Sequence, residues 1–189
     1  MYIVRGTAVM FHIGDKVVYP MHGAGTIEGI EKKEVLGEEQ DYYIIKMPID
    51  DVKVMVPTSR AQTVGVREIA GKEEAEKVFS ILEQPMEELS CDSNWNKRYN
   101  SNIEKIKSGS LEEVTEVFKD LSHRHMEKGL SLGEKKMLTT SKNILLSELS
   151  LVQDESKDVL DNKIEAMVKS SFDKWSEMMN APDDTITNL

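Results

Sequence analysis

The chain has 189 residues, of which 39% are hydrophobic and 31% charged, and its formal net charge is -10. This composition excludes collagen-like, fully disordered and disulfide-rich proteins. The negative charge argues against a protein that coats nucleic acid, because non-specific binding needs a basic surface to displace counterions. The single cysteine, Cys91, predicts a reducing cytoplasm, and the short apolar runs predict no membrane segment.

Four segments are expected along the chain. Residues 1–10 form a leader with one charge, and residues 11–70 hold short β-type runs. Residues 71–150 are poor in glycine and proline and are typical of helices, and residues 151–189 form an acidic tail. Because the composition changes near Gly71, we expect the boundary between two domains there.

The first domain is predicted to consist of strands separated by turn residues. The strands are expected at residues 16–20, 26–30, 41–47, 52–57 and 63–67. A glycine-rich stretch at residues 22–25 separates the first run from the second. Gly37 marks a hairpin tip between the second and third runs, and an acidic turn at residues 50–51 separates the third from the fourth. Short strands this closely connected predict a small antiparallel barrel of the SH3 or Tudor type, whose closure removes exposed edges.

The second domain is predicted to be a compact bundle of helices. Its first helix ends at Pro85, and the second runs from Trp95 to Gly109. Ser110 and Ser131 are each followed three residues later by a glutamate, the capping-box pattern that opens a third and a fourth helix. The apolar residues of the first helix recur at i, i+3, i+4 and i+7: Ala75, Val78, Phe79 and Leu82. The expected fold class is therefore α+β in two domains.

The acidic tail carries a further apolar stripe with helical spacing. Its members are Leu160, Ile164, Met167, Val168, Phe172 and Trp175. The stripe predicts a fifth helix that docks on the bundle or on a partner.

Residue patterns for enzymatic chemistry are poor. Cys91 has no histidine near it in sequence, so a Cys–His pair is unsupported. His123 and His125 are two residues apart and face different sides of a helix, which gives no zinc-ligand pattern. The glycines after His22 are not followed by a helix, so they predict a turn and not a phosphate loop. We therefore expect no catalytic residue, cofactor, metal or small-molecule substrate.

Local charge is more informative than net charge. Basic residues concentrate on the second helix and around the turn between the third and fourth helices, whereas residues 151–189 are acidic. The basic positions are Lys97, Arg98, Lys105, Lys107, Arg124, Lys128, Lys135, Lys136 and Lys142. A basic patch beside an aromatic residue suits phosphate contact combined with stacking or wedging between bases, although helix lysines are most often only solvated.

Trp95 allows two interpretations. It lies at the edge of the apolar stripe formed by Tyr99, Ile103 and Ile106. Spacing alone favours a core tryptophan that anchors the first turn, because apolar stripes usually face cores. The alternative is an exposed aromatic side chain that contacts a partner.

The ordered motifs of the chain resemble those of the CarD family of bacterial transcription regulators. They are GDKVVYP at residues 14–20 followed by His22 and Gly23, VGVR at residues 64–67, NWNKRY at residues 94–99, and GLSLGEKKML at residues 129–138. The resemblance extends from Phe11 to Leu149. It implies a Tudor-like RNA-polymerase interaction domain, similar to one in the transcription-repair coupling factor, and a helical domain that contacts promoter DNA.

The resemblance also implies roles for particular residues. Trp95 matches a tryptophan that wedges into the minor groove at the upstream edge of the transcription bubble and stabilises the open complex. The basic positions at the DNA are expected at Lys97, Arg98, Lys135 and Lys136. The contact with the polymerase β subunit is expected at Lys33, Lys53, Val54 and Met55, although relatives carry an arginine at the position of Met55. Pairing of strand edges would use backbone groups and tolerate that difference.

The sequence thus predicts a cytoplasmic, non-enzymatic regulator with two partners, the polymerase β subunit and promoter DNA. Free DNA binding should be weak, because the phosphate contacts are few and the chain is acidic. A protein–protein adaptor on the polymerase without DNA contact remains the alternative. A repair-coupled motor is disfavoured because the chain lacks a GxxxxGK[ST] loop.

Overall fold

A computed structural model describes residues 11–35, 37–48, 52–85 and 95–180, in which five strands are followed by five helices. This confirms the predicted fold class. The strands are β1 Lys16–Tyr19, β2 Gly23–Val35, β3 Glu38–Lys46, β4 Lys53–Pro57 and β5 Arg67–Glu68. The helices are α1 Lys72–Glu83, α2 Trp95–Ser108, α3 Leu111–Lys128, α4 Leu132–Gln153 and α5 Lys157–Asn180. Cys91, Asn94 and the leader lie outside the described residues.

The strands form one antiparallel sheet in the order β4-β3-β2-β1-β5. A hairpin at Gly37, whose φ is +82°, joins β2 to β3. Alternate residues of the strands point to one buried core, which includes Val17, Ile27, Ile45 and Val56. The period of two that predicted the strands is therefore the period of burial.

Three strands differ from the sequence prediction by three residues or more at one end. β2 begins at Gly23, so the glycines expected to form a turn at residues 22–25 pair with β1 instead. β2 also reaches Val35, and β3 begins at Glu38 and not at residue 41; the far half of this hairpin was missed because β2 is exposed on both faces there and shows no alternation. The last strand was expected at residues 63–67 but holds only Arg67–Glu68. Residues 61–65 form turns instead: Gly65 donates its backbone N–H to Gln62 and adopts a φ of +81°, which ends any extended run there.

The helices share a second core, to which all but α2 contribute heavily. Leu82 of α1, Leu121 of α3 and Leu145 of α4 are fully buried in it. α2 contributes Ile106, and α5 packs against α1, α3 and α4. Of the two partners left open for the fifth helix, the structure therefore selects the bundle.

The helix boundaries follow local capping signals. Ser110 accepts a hydrogen bond from the Glu113 backbone N–H at the start of α3. Ser131 and Glu134 form a reciprocal capping box at the start of α4. Gly129 adopts a φ of +81° after α3, a conformation that favours glycine and ends the helix.

The sheet and the bundle meet at the carboxyl half of α4, which packs on β2. The Ala24 backbone N–H donates to Ser147 Oγ at 2.8 Å, and this contact is buried. A Cβ atom on Gly23 would collide with Ser147 Oγ, so the close approach requires glycine at position 23.

Candidate functional site

Trp95 is the first residue of α2 and is 44% exposed. Its ring stacks on Tyr99, with ring centroids 5.0 Å apart and an angle of 29° between the planes. The exposure excludes the interpretation of Trp95 as a core residue. One face of the indole is supported by Tyr99, and a large part of the side chain remains accessible to a partner.

The amino end of α4 holds the indole from the side. Trp95 Nε1 donates to Ser131 Oγ at 3.3 Å. Ser131 is the capping residue of α4, and its hydroxyl donates to Glu134 Oε2 at 2.7 Å. The cap of α4 therefore also fixes the position of the tryptophan, because one hydroxyl serves both hydrogen bonds.

Arg98 of α2 and Glu134 of α4 form an ion pair. Arg98 donates to Glu134 Oε1 from Nε at 3.2 Å and from one terminal nitrogen at 2.8 Å. Only 11% of the Arg98 side chain and 6% of the Glu134 side chain are exposed. Burial alone would raise the pKa of Glu134, but hydrogen bonds from Arg98 and Ser131 outweigh it and lower the pKa below its ordinary value.

This pair changes the expected role of Arg98. The sequence interpretation sets Arg98 against DNA phosphate, whereas the structure directs its guanidinium at Glu134. Its neighbour Lys97 is exposed. We therefore treat Arg98 as a residue that positions Trp95.

Gly133 explains why the tryptophan motif and the α4 motif meet. A Cβ atom at Gly133 would lie 3.1 Å from Tyr99 Cε2 and 3.9 Å from Trp95 Cζ2. The first distance is shorter than ordinary van der Waals contact, so a side chain would push the aromatic pair away. Glycine at this position lets the start of α4 pack directly against the stacked rings.

The three lysines predicted to contact DNA are exposed in the first turns of α2 and α4. Lys97 lies two residues after Trp95, and Lys135 and Lys136 follow Glu134 in the first turns of α4. Their ammonium groups give this end of the bundle a local positive character that suits phosphate.

Other basic residues of the predicted patch are engaged elsewhere. Lys105 pairs with Glu116 at 2.7 Å, and Arg124 is buried. Lys142 pairs with Asp161 at 2.6 Å and also with Glu165, both on α5. The acidic tail therefore neutralises part of the basic side that the sequence suggested, and the candidate site is smaller than predicted.

Leu132 is an exposed apolar residue of the candidate site that the sequence analysis did not identify. It is 74% exposed, and it lies between Ser131 and Gly133, both of which adjoin Trp95. The available signal was its position directly after the capping serine, away from the buried stripe of α4 that begins at Met137.

Three of the four residues expected to contact the polymerase lie on β4, which is an edge strand paired only with β3 among the described residues. The Met47 backbone N–H donates to the Val52 carbonyl, and in this register Ile45 faces Val54. Hydrogen-bonding direction alternates along an antiparallel strand, so the backbone groups of Lys53 and Met55 point away from β3.

The four expected contact residues are placed differently. Met55 is 55% exposed, and Lys53 is exposed and pairs with Glu28 at 2.7 Å. Val54 instead packs against the core of the sheet, and its backbone groups face β3, so it offers no contact at the open edge. Lys33 lies on the hairpin opposite Gln40, four residues along β3 from the partner of Met55.

Known families match both parts of the chain. The CarD-like/TRCF RID domain matches residues 11–70, and the CarD C-terminal domain matches residues 77–165. The chain is 41% identical over 144 residues to a Bacillus subtilis (strain 168) protein named "Putative transcription factor YdeB", an alignment that covers 76% of this chain and 93% of that protein.

These matches define a transcription factor associated with RNA polymerase. Within that class the chain belongs to the CarD family. The matched part of the helical domain ends at residue 165, inside α5. No described helix is both long and apolar enough to cross a membrane.

Proposed function

We propose that this protein docks on the RNA polymerase β subunit through the β4 edge and stabilises the promoter open complex through Trp95 at the upstream edge of the bubble. The observation that carries the proposal is the half-exposed indole, held in place by Tyr99 and Ser131. An aromatic side chain spends little conformational entropy on binding when its position is already fixed.

The DNA contact is a minor-groove wedge assisted by phosphate contacts. A wedge recovers the cost of unstacking where base pairs are already opening, as at the edge of a bubble. Lys97 on the first turn of α2 and Lys135 and Lys136 on the first turns of α4 are exposed at the same end of the bundle as the indole and would hold the flanking phosphates. With three such contacts and a net charge of -10, the protein needs tethering to reach useful occupancy.

The polymerase contact is an added strand at the β4 edge. The outward backbone groups of Lys53 and Met55 provide the hydrogen bonds, and the exposed Met55 side chain provides apolar contact. The match to the CarD-like/TRCF RID domain supports this mode of docking.

The central test measures the lifetime of promoter open complexes with and without the protein. Trp95→Ala should bind polymerase like the wild type but lose the increase in lifetime, because the wedge is gone. Trp175→Ala is the matched control, because it removes the second tryptophan of the chain, which lies on α5, and it should keep the increase. A Trp95→Ala variant that lengthens the open-complex lifetime as much as the wild type does would overturn the wedge.

The docking mode has its own test. Met55→Pro removes the outward N–H without removing a bond to β3, because proline is tolerated on the open side of an edge strand. We expect a loss of polymerase affinity of about tenfold, against a smaller loss for Met55→Ala. Equal affinities of the two variants would contradict strand pairing at residue 55.

A polymerase adaptor without DNA contact is the second candidate, favoured by the acidic chain and by the ion pairs that occupy Lys105 and Lys142. Lys97→Glu together with Lys135→Glu separates the two candidates. Loss of open-complex stabilisation favours DNA contact, and an unchanged effect favours the adaptor. Arg98 is unsuitable for this test because its reversal would break the pair with Glu134.

A further inference from the structure

α4 connects the candidate site to the sheet. Its amino end carries Ser131 and Glu134, which hold Trp95 and Arg98, and its carboxyl half carries Ser147, which receives the Ala24 backbone N–H. Thirteen residues separate Glu134 from Ser147 along one continuous helix, a rise of about 20 Å. A helix of this length does not bend freely, so it transmits the position of one end to the other.

The joint between α4 and the sheet contains an ion pair with a buried carboxylate and a half-buried arginine. Arg67 of β5 donates to the two carboxylate oxygens of Glu148 at 2.8 and 3.0 Å. Arg67 also donates to the Gly109 carbonyl at 2.6 and 3.0 Å, and Glu148 accepts from the Ala70 backbone N–H at 2.7 Å. Glu148 is completely buried.

This geometry has a strong angular preference. The planar guanidinium meets the carboxylate with two parallel hydrogen bonds, which fix orientation as well as distance. Removal of Arg67 alone would leave the buried carboxylate of Glu148 without its charged partner, which is costly. At the end of the joint, Lys16 of β1 donates to the Leu151 carbonyl at 2.7 Å, which adds a further contact between sheet and helix.

We propose that Arg67 and Glu148 are positioning residues that hold the docking edge and the tryptophan at one fixed separation, with α4 as the rigid connection. The proposal rests on the proposed function. Polymerase binding and DNA contact would not stabilise the open complex if the sheet and the helical bundle could reorient relative to each other. Open-complex stabilisation would therefore depend on a joint that touches neither partner.

The test replaces the pair by neutral residues, Arg67→Gln with Glu148→Gln, so that no buried charge is left alone. Lys105→Gln with Glu116→Gln is the matched control, since it removes an exposed ion pair between α2 and α3. Circular dichroism checks the fold. Energy transfer between dyes on Asp41→Cys and Asn100→Cys, in a Cys91→Ser background, reports the separation of sheet and bundle.

We expect the double variant to broaden the distribution of dye separations and to keep polymerase affinity within about twofold of the wild type. The gain in open-complex lifetime should fall by about tenfold or more, because a freely reorienting site has a lower effective concentration at the DNA. A broadened separation with the wild-type gain in lifetime would overturn the proposal, as would an unchanged separation.

Two further measurements keep the inference separate from its premise. If the double variant fails to fold, Ser147→Leu disturbs the same joint without touching a charge, because a larger side chain meets Gly23 and Ala24. Failure of the wild-type protein to extend the lifetime at all would refute the proposed function. A wild-type extension that survives reorientation would refute only the role of the joint.

Discussion

At the scale of single residues, Glu134 has two tasks. Its carboxylate closes the capping box with Ser131 and pairs with Arg98 on another helix. The same side chain thus starts α4 and fixes the helix that begins with Trp95. Helix formation and the shape of the candidate site therefore depend on one ionised group.

Glu134→Gln should lower the free energy of unfolding by about 2 kcal/mol, because the buried Arg98 loses its charged partner. Urea unfolding at neutral pH measures the change. Glu127→Gln, on an exposed pair with Lys128, should change stability by less than about 0.5 kcal/mol. The contribution of Glu134 is present above its ordinary pKa and is lost as the pH falls through the lowered pKa of the folded state.

His123 gives a second dependence on pH. It is fully buried on α3 and packs edge-on against Phe172 of α5 at 5.5 Å. Burial, and then the charge of Lys119, lower the pKa of His123 to about 4. The unfolded chain binds the proton first, so stability should fall from about pH 6.5 to about pH 4, by up to about 3 kcal/mol.

Replacement of His123 by glutamine should flatten the stability profile in that pH range. His125→Gln, an exposed histidine on the same helix, should leave the profile unchanged. Unfolding in urea at half-unit steps of pH measures both variants. A profile of equal slope in the wild type and in His123→Gln would assign the acid sensitivity to other groups.

Residue identities in the candidate site were partly readable from the sequence. The motifs marked Trp95 and Ser131, but periodicity could not decide whether Trp95 is buried, because it lies at the edge of its stripe. The partner of Arg98 is 36 residues away in sequence, so no local pattern could reveal that its charge is used internally. The exposure of Leu132 depends on which face α4 presents to α2, which is a tertiary property.

At the scale of elements, helices were predicted better than strands. The starts of α3 and α4 depend on side chains within three residues, which a sequence displays directly. β5 depends on pairing with β1, about fifty residues away, and on Arg67 turning towards Glu148. Such long-range choices leave no local signature.

α5 is the element whose importance exceeds what its acidic composition suggests. Ile164 is fully buried on it, and Ile164→Ala should reduce the free energy of unfolding by about 2–5 kcal/mol. Val159→Ala, an exposed position on the same helix, should change it by less than about 0.5 kcal/mol. Denaturant unfolding compares the two variants, and equal small effects would show that α5 does not belong to the cooperative core.

At the scale of the whole molecule, the sequence indicated two domains and their order but not their relative placement. The contacts that fix the placement join residues 81 and 123 positions apart, Arg67 with Glu148 and Ala24 with Ser147. The net charge of -10 likewise could not show which basic residues belong to the candidate site, because the ion pairs that α5 forms with Lys142 depend on the tertiary fold.

The proposed DNA contact predicts a salt dependence set by Lys97, Lys135 and Lys136. Three phosphate contacts would give a slope of about -2.7 for log K against log[salt], and each neutral replacement should reduce its magnitude by about one. Lys97→Gln, Lys135→Gln and Lys136→Gln are compared in polymerase-bound complexes on duplex DNA. Lys107→Gln, at the far end of α2, should leave the slope unchanged.

The continuity of α4 between Glu134 and Ser147 has a consequence for how this protein tolerates insertions. Each added or deleted residue turns one end of a helix by about 100° relative to the other. A single insertion between these positions would turn Ser131 and Glu134, which hold Trp95 and Arg98, around the helix axis relative to the sheet, whereas a change of about two turns would nearly restore their orientation. The number of residues in this stretch is therefore expected to be constrained more tightly than their identity at the exposed positions.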